Sequence, residues 1–101
     1  MAEINIKFTH ALPVLGASIE NAKPTLVEDI TSSGTSQATS ITAPNDDCMV
    51  CVESIGSGDV WVKIGASPTA AVGSDHAIAA GQVRYFAGVS AGDAVAVIDD
   101  S

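Results

Sequence analysis

One pattern occurs twice in this sequence and constrains its fold more than any other feature. A Gly-Asp pair comes directly before a run of alternating β-branched residues. The copies are Gly58-Asp59 followed by 60–64 and Gly92-Asp93 followed by 94–98. Glycine adopts positive φ without steric cost and aspartate hydrogen-bonds nearby backbone, so the pair favours a chain reversal. Each copy therefore predicts a turn followed by a half-buried strand.

The two copies also predict how strands pair. An apolar run at 48–55 precedes the first copy and a run at 83–87 precedes the second, so each copy reads as strand, glycine-containing turn and strand. Successive strands joined by a short turn commonly form an antiparallel hairpin. We therefore expect two similar hairpins, with the nearly continuous apolar run at 48–55 as a central strand.

The composition favours strands along the rest of the chain. Val and Ile total twenty against three Leu, and Thr adds seven more β-branched residues. This bias suits pleated surfaces and disfavours long helices. We predict one all-β domain over 1–101, a small antiparallel β-sandwich or barrel of about eight short strands, with a jelly roll as one such arrangement.

Two interpretations of residues 1–22 remain open. Alternation places Ile4, Ile6 and Phe8 on one face of a strand. This strand is either the first strand of the protein's own sheet or part of an extended arm or edge strand that pairs with a neighbour. In the second interpretation, the three apolar side chains are interface contacts.

The single tryptophan, Trp61, is the other candidate for an interface. Val60, Val62 and Ile64 share one face of the predicted strand, so Trp61 and Lys63 share the other. A tryptophan there suits a second buried layer, an interface anchor or a stacking platform for a sugar. Burial is favoured over sugar stacking, because no second aromatic residue lies nearby in the sequence to complete a sugar-binding pair.

The core that this chain can build is thin. Sixteen residues are Ala, whereas Phe occurs twice and Trp and Tyr once each. Ordering a chain costs roughly 1.5 kcal/mol per residue, which burial at about 25 cal/mol/Å² must offset. Methyl side chains bury little area, so we expect a homo-oligomer, or docking on a larger surface, to supply the remainder.

The charge of the chain disfavours one class of partner. Twelve acidic residues against four basic ones give a formal net charge of −8. Such a surface repels phosphate, so we expect no nucleic-acid binding. No basic start of a signal peptide and no apolar run near the ~18 residues of a membrane span is visible. The sequence thus predicts a chain made in the cytoplasm, with no membrane partner.

No constellation of residues indicates catalysis or metal binding. Cys48 and Cys51 form a Cys-x-x-Cys, but on a strand they point to opposite faces with Cα atoms roughly 10 Å apart, beyond disulfide reach. Zinc would need two more ligands, and only His10 and His76 remain, at unsuitable spacing. The Ser-Asp-His tripeptide at 74–76 contains the residue types of a hydrolase triad, yet adjacent residues do not converge on one point. We predict buried thiols, no enzyme and no cofactor.

Three segments of the sequence carry a resemblance to a known group of proteins. They are Val60 to Ala70, Ala79 to Phe86 and Val89 to Ile98. They contain, in order, a tryptophan strand with an IG-x-x-PTA loop, an AG-x-x-x-YF turn and strand, and a closing GD-x-VAVI strand. The chain resembles small structural proteins of tailed bacteriophages in which these motifs recur in this order. Residues 1–42 carry no comparable motif.

The resemblance implies a head decoration (cement) protein that binds the outer shell of the capsid. Its partner would be the major capsid protein, and its location the virion surface after synthesis in the host cytoplasm. Such a protein holds neighbouring capsid subunits together by burying area across their seam. The alternative is a module of a tail, baseplate or fibre, with carbohydrate as an optional ligand. The motifs describe turns and strands more than chemistry, so the resemblance supports the fold more directly than the function.

Overall fold

The chain folds into strands throughout its described part. The structure, a computed structural model, describes residues 3–10, 26–44, 46, 48–56, 58–73 and 76–100. These residues form eight strands: β1 (Glu3–His10), β2 (Leu26–Thr31), β3 (Gln37–Ala38), β4 (Cys48–Ile55), β5 (Val60–Gly65), β6 (His76–Ile78), β7 (Val83–Val89) and β8 (Ala94–Asp99). None of the described residues is helical, so none belongs to a helix that could cross a membrane. The all-β prediction is confirmed.

The strands form two antiparallel sheets that pack face to face. Sheet 1 has the order β2-β1-β4-β7, and sheet 2 has the order β3-β8-β5-β6. Within the described residues, β1 and β2 are consecutive in one sheet, as are β5 and β6, and every other connection crosses between the sheets. The predicted antiparallel sandwich is confirmed.

The strand order is that of a jelly roll in which the first strand takes the place of the last. A jelly roll with strands named B to I has sheets that read B-I-D-G and C-H-E-F, built from two Greek keys. Naming β2 as B and continuing to β8 as H reproduces both sheets. β1 then occupies the position of I, between β2 and β4. It is therefore a central strand.

The expected hairpins are wrong. β4 pairs with β1 and β7 in sheet 1, whereas β5 pairs with β8 and β6 in sheet 2. Each Gly-Asp turn thus lies in an arch, which is a connection between strands of different sheets. The two arches lie side by side, because β4 pairs with β7 and β5 pairs with β8. Gly58 and Gly92 have positive φ, 108° and 88°. The turn chemistry serves a hairpin and an arch equally; in the arch, the apolar faces of the two strands meet across the core from opposite sheets.

The core lies between the two sheets and consists mainly of β-branched side chains. The largest side chains without exposed surface come from both sheets: Phe8, Ile4, Ile6, Ile78, Val50, Val52, Val60, Val62, Val95 and Val97. These residues belong to one contiguous cluster. Burial on both inner faces accounts for the alternating patterns of β1, β4, β5 and β8.

The described part of the N-terminal segment is a strand of the protein's own sheet. β1 pairs with β2 on one side and with β4 on the other. Ile4, Ile6 and Phe8, expected as interface contacts of an arm, are 0% exposed. Their apolar surface is used by the core, so none is left for a neighbour, and the first-strand interpretation is the one that the structure matches. Residues 11–22 of the expected arm lie outside the described residues.

A β-bulge in β7 keeps two apolar residues on the core side. The pairing of β4 with β7 shifts register, because Cys48 lies opposite Val89 and Val50 lies opposite Phe86. Gly88, within the bulge, has φ 72°, a conformation that favours glycine. The extra residue lets Phe86 and Val89 both pack on the core, although they are three positions apart.

Candidate interaction surface

The outer faces of the two sheets are the surfaces at which this fold could meet a partner. Both inner faces are used by the core. No pocket is found in the part of the chain that the structure describes, and no three of its His, Cys, Asp and Glu side chains are grouped to hold a metal ion. What the described residues offer a partner is therefore the surface of the two sheets and their edges.

The sheet-1 outer face is built from three rows of side chains that the strand register aligns. One row is Val27, Lys7, Cys51 and Tyr85; the next is Asp29, Asn5, Glu53 and Val83; the last is Thr31, Glu3 and Ile55. The outer face of an antiparallel sheet is usually polar. Here apolar side chains at both edges flank polar ones.

Exposed apolar side chains concentrate on the sheet-1 outer face. Val27 is 49% exposed, Ile55 49% and Val83 41%. Among the large apolar side chains of the described residues, the only other one that is strongly exposed is Val72, in a loop. Sequence reasoning missed this grouping, because Val27, Ile55 and Val83 lie on three different strands and only their register brings them onto one face.

The sheet-1 outer face also carries an excess of negative charge. Glu3, Asp29 and Glu53 supply three carboxylates, against the single ammonium of Lys7. The Nδ2 of Asn5 donates a hydrogen bond of 2.7 Å to Oδ1 of Asp29. This hydrogen bond holds the carboxylate in place on the surface.

Trp61 lies on the sheet-2 outer face, opposite Val60 and Val62, as alternation predicts. It is half-buried, and its cross-strand neighbours are Ala77 and Ile98. Its Nε1 donates a hydrogen bond of 2.9 Å to Oδ1 of Asp100. This hydrogen bond to the residue that follows β8 holds the indole on the outside of the sandwich.

A loop covers part of the sheet-2 outer face. The amide of Ala70, in the connection between β5 and β6, donates a 2.8 Å hydrogen bond to Oγ of Ser36, just before β3. β3 and β6 are the opposite edges of sheet 2. Between the end of β5 and Ala70, the connection therefore passes from β5 to the β3 edge of the sheet, and the inner side of the sheet is filled by the core. Ala94 and Ala96, which point outward beneath it, are only 7% and 0% exposed.

His76, the histidine of the Ser-Asp-His tripeptide, packs against an aromatic ring. Its ring lies 4.6 Å from the ring of Phe86, measured between centroids. The Arg84 guanidinium carbon lies 5.4 Å from the same Phe86 centroid, and Nη1 of Arg84 donates a 3.0 Å hydrogen bond to the carbonyl of Ala77. These contacts join β6 of sheet 2 to β7 of sheet 1. The other two residues of the tripeptide, 74 and 75, lie outside the described residues.

The two cysteines lie on opposite faces of β4, as alternation predicts. Both are buried, and neither forms a disulfide. Cys48 belongs to the core cluster, whereas Cys51 sits in the Val27 row of the sheet-1 outer face and is 2% exposed. Neither thiol is presented to solvent as a redox pair would require.

Comparison with known proteins adds no relative. No protein-family model, no curated protein and no solved structure matches this chain. The resemblance to structural proteins of tailed phages therefore rests on the three sequence segments between residues 60 and 98.

Proposed function

We propose that this chain is a head decoration (cement) protein of a tailed bacteriophage, which binds the outer shell and stabilises contacts between capsid subunits. The observation that carries the proposal is the sheet-1 outer face, where Val27, Ile55 and Val83 remain exposed on a regular strand surface. Exposed apolar groups gathered on one face are typical of docking surfaces. The motifs between residues 60 and 98 are the reason for naming this class of partner.

The construction of the sandwich suits a mechanical role. Oγ of the buried Ser32 donates a hydrogen bond to Oδ1 of Asp99, and the amide of Asp99 donates a 2.8 Å bond to the carbonyl of Ser33. These bonds join the end of β2 in sheet 1 to the end of β8 in sheet 2. A surface that is rigid before binding loses less entropy when it docks, so more of the contact energy remains to hold the partner.

A second set of hydrogen bonds joins the two sheets at the edge formed by β2 and β3. Oε1 of Glu28, on β2, accepts hydrogen bonds from the amides of Ser40 and Ile41 at 3.0 and 3.1 Å. The carboxylate thereby ties sheet 1 to the segment that follows β3. Bonds from backbone amides to a charged acceptor are among the stronger hydrogen bonds in proteins. Both sets of hydrogen bonds thus hold β2, one edge strand of the docking face, to sheet 2.

The proposal names the major capsid protein as partner and the virion surface as location. The expected homo-oligomer on the shell remains part of it, because the alanine-rich composition leaves little buried area per chain. A net charge of −8 keeps the free chain from associating with nucleic acid in the host cytoplasm. The chain does no chemistry in this account.

The proposal is tested by mixing the purified chain with shells of the major capsid protein encoded beside it. The expected result is saturable binding to the shells and a higher temperature of shell disruption in its presence, because a ligand of the assembled state stabilises that state. Lack of binding, or binding without any effect on shell stability, would contradict the cement role.

A module of a tail, baseplate or fibre is the alternative, and Trp61 is the observation that favours it. The half-buried indole lies on the surface beside a carboxylate, that of Asp100. Sugars stack on such rings and hydrogen-bond to such groups. Binding on a glycan array that disappears with Trp61→Ala and persists with Trp61→Phe would favour this alternative over the cement role.

A further inference from the structure

We infer that the sheet-1 outer face is the surface that docks on the shell, and that the patch it meets carries basic side chains flanked by apolar groups. The inference rests on the proposed function and goes further by assigning the surface and the chemistry of the partner. It is carried by three observations on the described residues: exposed apolar groups, the charge between them, and the covering of the opposite face.

The exposed apolar side chains are where a bound partner would bury the most apolar surface. Val27 and Val83 stand on β2 and β7, the two edges of sheet 1, and Ile55 ends β4. A face that extends over four strands at about 4.8 Å each is roughly 19 Å wide. Covering Val27 and Val83 together therefore requires a partner that spans the whole sheet. A contact at one edge would bury only one of them.

The opposite face is less suited to the same role. The connection between β5 and β6 already lies over the sheet-2 outer face, and the outward side chains of Ala94 and Ala96 are buried beneath it. A partner there would meet the loop before it met the sheet. Val72, the other strongly exposed large apolar residue among those described, belongs to this loop and stands alone.

The charge of the sheet-1 outer face disfavours a second copy of the chain as its occupant. In a twofold dimer the same patch lies on both sides of the interface, so Glu3, Asp29 and Glu53 would face the same three carboxylates, with one Lys7 on each side. Like charges brought together in an interface cost affinity and suppress the wrong pairing. Lysine or arginine side chains on a partner would instead pair with them.

The size of the sheet-1 outer face also disfavours a second copy of the chain as its occupant. β4 is eight residues long, so the face measures roughly 26 by 19 Å, or about 500 Å². A standard interface buries about 800 Å² on each partner. A flat second copy would cover the face alone and fall short of this area. A shell surface that also contacts the edges at β2 and β7 can reach it.

The test compares two variants of matched chemistry. In Val27→Ser/Val83→Ser, the apolar side chains of the proposed docking face are replaced by neutral polar ones; in Val72→Ser, the same change is made at a residue that is 55% exposed on the loop. We expect the double variant to bind shells at least about tenfold more weakly, whereas the control binds as the wild type does. All these side chains are exposed, so the fold should tolerate the changes, and thermal unfolding of each variant checks this.

A charge variant tests the basic character of the partner. Glu53→Lys should weaken shell binding, and binding of the wild type should weaken as salt is raised, because screening reduces attraction between opposite charges. Stronger binding by Glu53→Lys would overturn the assignment of a basic partner.

The outcomes separate the two proposals. Wild-type binding that the double variant retains in full would overturn the inference and leave the cement role standing. A wild type that does not bind shells would overturn both. A dimer in sedimentation that Val27→Ser/Val83→Ser abolishes and Val72→Ser preserves would assign the face to a second copy and overturn the inference as well.

Discussion

The side-chain hydroxyl of Thr39 takes the place of a backbone carbonyl in the pairing of Thr39 with Val95. The amide of Thr39 donates a 2.8 Å hydrogen bond to the carbonyl of Val95, and the amide of Val95 donates a 3.2 Å bond to Oγ1 of Thr39. Oγ1 in turn donates a 2.8 Å bond to the carbonyl of Ile41. β3 therefore ends after two residues, yet its contact with β8 continues through a side chain.

Thr39→Val should lower the free energy of unfolding by about 1–3 kcal/mol, because the buried amide of Val95 would lose its acceptor. Thr39→Ser keeps the hydroxyl and should cost clearly less. Urea unfolding of the three proteins gives the comparison. Equal losses for Val and Ser would show that the methyl group, and not the hydrogen bond, is what position 39 contributes.

Ser32→Ala should destabilise the protein by about 1–3 kcal/mol, because the carboxylate of Asp99 would lose its hydrogen bond from the Ser32 hydroxyl. Ser32 has no exposed surface, so water does not readily replace this bond. Ser90→Ala, at an exposed serine of the β7–β8 connection, should change stability by less than about 0.5 kcal/mol. Both values come from equilibrium unfolding. Similar small effects at the two positions would show that the link between β2 and β8 adds little.

Gly88→Ala should cost about 1–2 kcal/mol, because φ 72° is a left-handed conformation that disfavours a Cβ. A Cβ at Gly88 would meet no atom within 4 Å, so the cost comes from the backbone and not from a clash. Gly34→Ala is the control, since a Cβ there also meets nothing within 4 Å and its φ lies outside the left-handed range. Differential scanning calorimetry should show a lower Tm for the first variant alone.

Trp61→Phe should leave binding to shells within about twofold of the wild type, because Trp61 lies on the outer face of the opposite sheet from the proposed docking surface. Titration of shells with each protein measures this. Val27→Ser/Val83→Ser provides the comparison that should bind weakly. A loss of about tenfold with Trp61→Phe would move the interface to sheet 2.

The strands could be predicted from the sequence, but most of their pairing could not. Alternation identified β1, β2, β5 and β8 and placed Trp61 opposite Val60 and Val62, because side-chain direction is a local property of a strand. The Gly-Asp turns were also predicted as turns. Whether such a turn closes a hairpin or an arch depends on which surface covers the strands, and that is decided by contacts distant in sequence.

The short strand β6, and surfaces built from several strands, could not be predicted from the sequence. β6 has three residues, His76–Ile78, too few for alternation to show. The sheet-1 outer face is assembled by register from strands separated along the chain. By contrast, Ile4, Ile6 and Phe8 were recognised as one apolar face, and the structure shows that this face points into the core.

The composition of purified virions tests the central claim most directly. Quantitative mass spectrometry of particles from the phage that encodes the chain should find it in a fixed ratio to the major capsid protein, at a copy number close to that of the shell subunit. Its absence from particles, or a copy number that follows the tail proteins, would contradict the account of a protein that cements the capsid.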